Sequence, residues 1–320
     1  MIKVSISCTV YNHEKYLKKA LDGFVNQKTS FDYEVIIHDD ASTDSSAKII
    51  REYEQKYPNL IKPIYQKENQ YSKGVNIIDE FIVPKIQGEY IAKCEGDDYW
   101  IDENKLQQQV DFLDQHPEYV ACVHNTIKKD LWHGKSGEMY CRESDCELTF
   151  ADVIPKGSAC YQTSSLIYRR SVRCKLPKYL KKDWGFGDYP LAIYLATVGK
   201  IWYINKTMSV YQFGTENSFT RSSGASVDKM LTIYDNIVKM LKEIDVETDG
   251  KYTDLIKPVI LENMYYSTEL RGEYPVLRKY PLRDIYLKKS IPYRIKLFFI
   301  QYSGGIGKLY REYKRKITYK

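Results

Sequence analysis

No stretch of this sequence stays apolar over the length that a membrane-spanning helix needs, which is about eighteen residues. The chain enters a strand-like segment at Val4 without the apolar core of a signal peptide. Neither export nor a transmembrane helix is therefore expected, and the expected location is the cytoplasm.

The seven cysteines form no CxxC pair and have no histidine at zinc-ligand spacing. Their odd number also leaves one thiol unpaired in any complete disulfide scheme. These absences argue against a zinc ribbon and against a disulfide-stapled fold, so reduced thiols are the simpler interpretation.

The positive charge is concentrated at the C-terminal end. Residues 281–320 contain eleven Lys or Arg and two acids, a net charge of +9, so the preceding residues carry −3 of the total of +6. Such a segment is either solvated surface or, with aromatic residues, a contact for an anionic membrane. Residues 293–302 are apolar but short, and predict either a helix packed on the protein or one lying in a membrane interface. No stacking-platform motif accompanies the charge, so nucleic-acid binding is not expected.

Strands and helices alternate through the first hundred or so residues. Apolar alternation predicts strands over 2–10, 33–38, 61–65 and 90–92, with a helical pattern after each of the first three. The third of these helices is expected from Val75 to about Ile86. This order predicts an α/β fold with a doubly wound, mostly parallel sheet covered by helices on both faces.

From residue 227 onward the apolar periodicity is helical. We therefore expect a sheet-containing domain over 1–226 and a helical C-terminal region with a basic tail over 227–320. Within the first domain, 1–103 is the expected nucleotide-binding half and 104–226 the acceptor half.

Polar turns follow three of the strands. Thr9 to Asn12 follows the first, Asp39-Asp40 the second, and Glu95-Gly96-Asp97-Asp98 the fourth. Since ligands bind at the carboxyl ends of parallel strands, these turns are expected at one edge of the sheet. Asp97 and Asp98 are the predicted ligands of Mn²⁺ or Mg²⁺, which prefer oxygen donors. An acidic surface turn is the alternative interpretation.

A nucleotide-activated sugar fits this set of turns. Asp40 could accept from a base N–H or a ribose hydroxyl, and Tyr11 could stack on the base. Thr9, Asp97 and, in the turn after the third strand, Asn69 and Lys73 complete the predicted donor-binding set. The divalent cation would bridge the two phosphates of the leaving group.

The acceptor hydroxyl must lose its proton as it attacks, which requires a general base. Asp188 is the candidate, because it stands between aromatic residues, Trp184 and Phe186 on one side and Tyr189 on the other, that can enclose a sugar ring. An N-cap for the following helix is the other interpretation, and both roles can coexist.

Three ordered segments resemble the family 2 glycosyltransferases, an inverting group with a GT-A fold. They are Val4–Asn12, Val35–Asp44 and Glu95–Trp100, and the resemblance extends over about the first 215 residues. It implies donor binding at Thr9, Tyr11 and Asp40 and a metal at the DXD-type pair Asp97 and Asp98. The segment 187–191 resembles the family segment that supplies the catalytic base, which assigns Asp188.

The sequence departs from the family pattern at two places. Glu95 stands where many members carry an aspartate. The histidine that often stands near Gly214 is missing, and Arg221 is the expected replacement for its positive charge.

The sequence thus predicts an inverting transferase that moves a sugar from a nucleotide diphosphate donor, with UDP-sugar expected. The expected acceptor is a hydroxyl of a glycan or lipid-linked glycan in surface polysaccharide synthesis, at the inner face of the plasma membrane. A sugar nucleotidyltransferase is an alternative, but the turn from Thr9 to Glu14 has no glycine and no basic residue except His13. A noncatalytic glycan- or lipid-binding protein is a further alternative. The donor sugar, the linkage and the oligomeric state stay open.

Overall fold

The computed structural model describes residues 1–140, 142–156, 160–216, 218, 226–302, 305–307, 309–310 and 312–313. The chain divides into two compact units. Unit 1 comprises Met1–Leu176 and Asp188–Asn217, and unit 2 comprises Pro177–Gly187 and Ser218–Lys320.

Unit 1 is built on one sheet, which has ten strands within the described residues. The strands are β1 Val4–Val10, β2 Tyr33–Asp39, β3 Ile61–Tyr65, β4 Tyr90–Lys93, β5 Tyr99–Trp100, β6 Tyr119–Asp130, β7 Lys135–Glu138, β8 Cys146–Leu148, β9 Ile167–Arg169 and β10 Lys200–Phe213. Their order is β3-β2-β1-β4-β9-β6-β10-β5, with β7 beside β6 and β8 beside β10.

The strand directions match the doubly wound, mostly parallel sheet expected from the sequence. β3, β2, β1 and β4 run parallel, and β10 runs parallel to β6. The short β9 is antiparallel to both β4 and β6, and β5 is antiparallel to β10. The predicted α/β fold is therefore confirmed, with antiparallel strands confined to the part after β4.

Five helices flank this sheet within the described part of unit 1. They are α1 Leu17–Val25, α2 Ser46–Lys56, α3 Lys105–Gln115, α4 Phe150–Lys156 and α5 Asp188–Val198. In α1 the buried side chains Leu17, Ala20, Leu21 and Phe24 recur at helical spacing, so its apolar stripe faces the core.

The segment predicted as a helix from Val75 to about Ile86 is helical in the structure from Ile78 to Lys85, but it does not form a regular α-helix. That segment contains a π-helical turn, Ile78–Ile82, and a 3-10 turn, Val83–Lys85. Pro84 has no amide hydrogen to donate within a helix, and it lies inside the 3-10 turn, two residues before the extended residue Ile86.

Unit 2 is helical where it is described, with α6 Val227–Glu247, α7 Thr253–Arg271, α8 Arg283–Lys288 and α9 Ile291–Tyr302. Its core gathers side chains from several of these segments, namely Tyr265, Tyr274, Leu277, Leu282, Leu297, Ile300 and Tyr310. The α9 helix thus packs one face into the unit, as the first interpretation of 293–302 predicted. Among the described residues, no helix is both long enough and apolar enough to cross a membrane.

Candidate active site

The ends of β1, β2 and β4 meet at one edge of the sheet, where the sequence predicted a ligand site. The Asp40 amide donates to the Val10 carbonyl at 2.9 Å, and the Gly96 amide donates to the Thr9 carbonyl at 3.0 Å. The main chain therefore brings Thr9, Asp40 and the acidic turn side by side.

Asn12 joins the first two polar turns. It adopts a left-handed φ of 56°, which asparagine tolerates better than most residues. Its Oδ1 accepts the Thr43 amide at 2.7 Å, and its own amide donates to Ser42 Oγ at 2.9 Å. Tyr11, the residue before it, is 36% exposed and so keeps surface on which a base could stack.

Asp40 fixes the loop that follows β3. Its carboxylate is buried, Oδ1 accepting the Gln70 amide at 2.8 Å and Oδ2 the Tyr71 amide at 3.0 Å. Asn69 Oδ1 accepts the Ser72 amide at 2.7 Å within the same loop. Lys73 is half-exposed and ion-paired with Glu68. The loop carrying Asn69 and Lys73 is thereby held beside the strand edge.

The acidic turn lies between β4 and β5 and is held by the end of β10. The Gln212 amide donates to Asp98 Oδ1 at 3.0 Å, and Thr215 Oγ1 donates to Asp97 Oδ2 at 2.8 Å. Sequence reasoning missed both partners. It had singled out the segment from 209 to 214 only for its missing histidine.

Gly96 allows this turn to pack against the β1 turn. A Cβ at this position would lie 2.8 Å from Val10 Cγ2 and 2.9 Å from His13 Nδ1. Any side chain here would therefore push the acidic turn away from the end of β1.

Burial and mutual repulsion act on the acidic side chains. Burial, and then the negative charge of Asp97, raises the pKa of Asp98 well above its ordinary value. The same causes raise the pKa of Glu95 to about 7, against the opposing charge of Lys93. Part of Glu95 is nevertheless exposed to solvent.

These carboxylates fit a divalent cation. Within the described residues no three His, Cys, Asp or Glu side chains form a complete metal cage. A hard cation at a phosphate site is commonly bound by one or two carboxylates, with phosphate oxygens and water completing its shell. A cation would also offset the repulsion that raises the pKa of Asp98.

Asp188 is the first residue of α5, and its Oδ1 accepts the Tyr189 amide at 2.8 Å. Its negative charge acts on Glu95, raising the pKa of that carboxyl, and on Lys93. The fold therefore brings Asp188 into the electrostatic neighbourhood of the acidic turn, although 90 residues separate it from Asp98 in sequence. Asp188 thus lies in the first turn of α5 and also near the acidic turn.

The expectation that Trp184 helps to enclose a sugar ring beside Asp188 is wrong. Trp184 is 6% exposed, and its indole N–H donates to the Tyr179 carbonyl at 2.7 Å within unit 2. A buried indole held in this way has no open face for a sugar ring. The other expected wall residues are Phe186, which lies in unit 2, and Tyr189, which is buried and donates its hydroxyl to the Ile154 carbonyl at 2.6 Å.

Two basic residues, Lys93 near Asp188 and Arg173 near Lys93, were not identified from the sequence. Burial lowers the pKa of Lys93, and the charges of Glu95 and Asp188 oppose that effect. Arg173 is ion-paired with Asp79 and also acts on Lys93. Arg221, the expected substitute for the missing histidine, lies outside the described residues.

Known proteins match both the sequence and the fold. The family model for glycosyl transferase family 2 matches residues 5–174. An uncharacterised protein of Mycobacterium tuberculosis (strain ATCC 25618 / H37Rv) is 39% identical over 215 residues, which are 65% of this chain and 58% of that relative. The chain thus spans well under two thirds of this relative's length.

Two solved structures share the architecture. TarS of S. aureus in complex with UDP-GlcNAc is 20% identical with a TM-score of 0.59, over 94% of this chain and 81% of that one. The mannosyltransferase PcManGT from Pyrobaculum calidifontis, in complex with GDP-Man and Mn²⁺, is 15% identical with a TM-score of 0.58, over 99% of this chain and 84% of that one. At these identities the likeness establishes the fold alone. Because the family model matches more than half of its length, the chain belongs to glycosyl transferase family 2, and its sheet is of the GT-A type.

Proposed function

We propose that this protein transfers a sugar, with inversion, from a UDP-sugar to a hydroxyl of a glycan or lipid-linked glycan. The observation that carries the proposal is the meeting of Asp40, the Asp97-Asp98 pair and the charge of Asp188 at one strand edge. The two structural neighbours with bound nucleotide sugars support this class of donor.

The donor would lie across the strand ends. Tyr11 offers an exposed ring to the base, while Thr9 and the loop held by Asp40, with Asn69 and Lys73, line the nucleotide side. Lys93, which lies near Glu95 and Asp188, and Arg173, which lies near Lys93, could supply the positive charge of the missing histidine.

Asp98 and Asp97 would hold Mn²⁺ or Mg²⁺, whose positive charge would stabilise the departing diphosphate. The two residues are kept in place by β10 through Gln212 and Thr215. A GDP-Man complex of a structural neighbour that contains Mn²⁺ supports a metal of this kind.

Asp188 is the proposed general base. The acceptor oxygen forms a bond to the anomeric carbon as the bond from that carbon to the diphosphate oxygen breaks. The diphosphate leaves with the bonding electron pair, and the acceptor proton passes to an Asp188 carboxylate oxygen. Attack on the face opposite the leaving group gives inversion.

The substitution Asp188→Asn tests this assignment. It removes a proton acceptor but keeps the side-chain size and an oxygen that can accept the Tyr189 amide. Transfer should fall by at least about a hundredfold, within the usual range for a general base. Stabilisation by nucleotide sugars with manganese should persist, as measured by thermal unfolding.

Asp32→Asn, at an exposed carboxylate, is the matched control and should leave both measurements unchanged. Unchanged transfer by Asp188→Asn would remove the residue from its proposed role. If no nucleotide sugar stabilises the wild-type protein, with or without manganese, the function proposed here is wrong.

We further propose that the protein acts in surface polysaccharide synthesis at the inner face of the plasma membrane. Support comes from α9, where Ile295, Phe298 and Phe299 are exposed beside Arg294 and Lys296. Lys296 is exposed, with its Nζ 4.5 Å from the centroid of the Tyr310 ring, and Arg294 is partly exposed, so positive charge lies beside these apolar residues and would attract anionic headgroups.

A further inference from the structure

Three aromatic residues stand beside the acidic turn, and the proposed reaction gives them no role. Trp132 lies in the turn between β6 and β7, while Tyr211 and Phe213 lie at the end of β10. The Trp132 and Phe213 rings meet edge to face at 5.0 Å, and Phe213 meets Tyr211 in the same way at 6.1 Å. These residues are called the aromatic ledge.

The turn that carries Trp132 is fixed by its own hydrogen bonds. Asp130 Oδ1 accepts the amides of Trp132 and His133 at 2.9 and 3.1 Å, and Asp130 Oδ2 lies 2.9 Å from His133 Nδ1. The Leu131 amide donates to the Phe213 carbonyl at 3.0 Å, which ties the turn to β10. A side chain on so constrained a turn is ordered before any ligand arrives, which lowers the entropic cost of binding.

The ledge is continuous with the acidic turn. Gly214 has a φ of +88°, and a Cβ there would lie 2.6 Å from Trp132 Nε1, so the indole packs directly on this glycine. The next residue, Thr215, donates to Asp97 Oδ2 at 2.8 Å. The glycine under the indole is therefore directly followed in the chain by a partner of the proposed metal ligand Asp97.

Trp132 keeps open surface in spite of these contacts. It is 38% exposed, whereas Trp100 is 4% exposed and Trp184 6%. An exposed indole costs free energy in water, so a surface tryptophan beside a reaction site indicates a binding face.

The surroundings of the indole favour a sugar over a lipid chain. Lys128 Nζ lies 3.5 Å from the Phe213 ring centroid, and the Asp130–His133 pair lies within the same turn. A pyranose ring has an apolar C–H face that can stack on an indole, and hydroxyls that can bond to such polar groups. A hydrocarbon chain would leave those groups desolvated and unpaired.

We propose that the aromatic ledge, centred on Trp132, binds a pyranose ring of the acceptor glycan. This inference rests on the transferase function proposed above and names where its acceptor is recognised. The ledge would orient the acceptor while Asp188 and the acidic turn carry out the transfer.

The intact chain labelled with 5-fluorotryptophan allows a direct test, because it contains four tryptophans. The Trp132 fluorine resonance is assigned with Trp132→Phe, and the protein is titrated with methyl pyranosides, with mannitol and with UDP. The Trp132 resonance should shift saturably when cyclic glycosides are added. It should not shift when acyclic mannitol or UDP is added. A resonance that no glycoside moves overturns the proposal.

Kinetics provide the second measurement. Trp132→Ala should raise the acceptor KM by up to about tenfold, the size of one aromatic contact, with the donor KM unchanged. Trp132→Phe should recover part of the loss, and Tyr280→Ala, which removes an exposed ring in unit 2, should have no effect. A variant that loses donor and acceptor affinity equally would contradict the assignment.

The two proposals fail separately. If glycosides shift the Trp132 resonance but no nucleotide sugar stabilises the protein, the ledge stands as a carbohydrate site and the transferase function fails. If nucleotide sugars stabilise the protein and no glycoside reaches Trp132, the ledge proposal alone fails.

Discussion

Lys105 is a fully buried lysine in the core that supports the acidic turn. Its Nζ donates to Gln109 Oε1 at 2.7 Å and lies 4.1 Å from the centroid of the Trp100 ring. Burial lowers the pKa of Lys105 to about 7, from an ordinary value of 10.5. Cys94, Cys122 and Asp102 oppose this effect, and the charge of Lys105 in turn contributes to lowering the pKa of the buried His124.

The sign of the resulting pH dependence follows from proton binding. Between about pH 7 and 10.5 the unfolded chain binds a proton at Lys105 that the folded chain does not bind. The free energy of unfolding must therefore rise with pH through this window, and the stabilisation is lost as the pH falls towards 7.

We predict that the free energy of unfolding of the wild type, relative to Lys105→Met, increases between pH 7.5 and 9.5. The slope should not exceed about 1.4 kcal/mol per pH unit, the limit for a single proton. Urea denaturation followed by tryptophan fluorescence measures it. Lys18→Met, at an exposed lysine, is the control and should follow the wild type at both pH values. Parallel curves for wild type and Lys105→Met would contradict the assigned shift.

At the scale of elements, β10 determines the geometry of the acidic turn. This strand pairs with β6 along its length, and the amide of its penultimate residue, Gln212, donates to Asp98 Oδ1. Thr215 then holds Asp97. The proposed metal ligands are therefore oriented by a segment more than a hundred residues away in the chain.

We predict that Thr215→Val weakens manganese binding without unfolding the protein, because valine keeps the shape of threonine but cannot donate to Asp97. Loss of a partner that orients a metal ligand typically lowers affinity by about tenfold or more. Manganese titrations of thermal stabilisation in the presence of UDP measure the effect. Thr207→Val serves as the control, because Thr207 lies in β10, the strand that precedes Thr215, and its hydroxyl bonds to Glu138. Equal manganese affinity in both variants would show that Thr215 does not orient the site.

At the scale of the whole molecule, unit 2 exposes an apolar face on α9. Leu297 and Ile300 are buried, while Ile295, Phe298 and Phe299 are 50%, 46% and 67% exposed. Exposed aromatic and aliphatic residues with basic neighbours match the requirements of an anionic membrane surface.

We predict that the protein co-sediments with vesicles containing phosphatidylglycerol and much less with pure phosphatidylcholine. Added salt should weaken binding because the headgroup attraction is screened. Replacing Phe298 and Phe299 together by serine should abolish it, whereas serine at the exposed Val246 and Leu255 should not. Equal loss in both double variants, or none in the first, would argue against this face.

The sequence by itself determined the alternating strands and helices, the polar turns and the family. Period-two and helical patterns are local, and parallel strands necessarily bring their carboxyl ends to one edge, so these patterns alone place Thr9, Asp40 and the acidic turn together. The predicted Val75–Ile86 helix is present as π-helical and 3-10 turns, because an apolar pattern predicts a helical segment without fixing its hydrogen-bond spacing near Pro84.

Only the tertiary structure decided which distant residues complete the site. Gln212 and Thr215 reach the acidic turn, Lys93 comes near Asp188, and Trp132 packs on Gly214, while Trp184 turns inward to the core. These contacts depend on strand order and on how side chains fill the core. Local periodicity predicts neither the strand order nor the side-chain packing, because both are set by contacts between segments far apart in the chain.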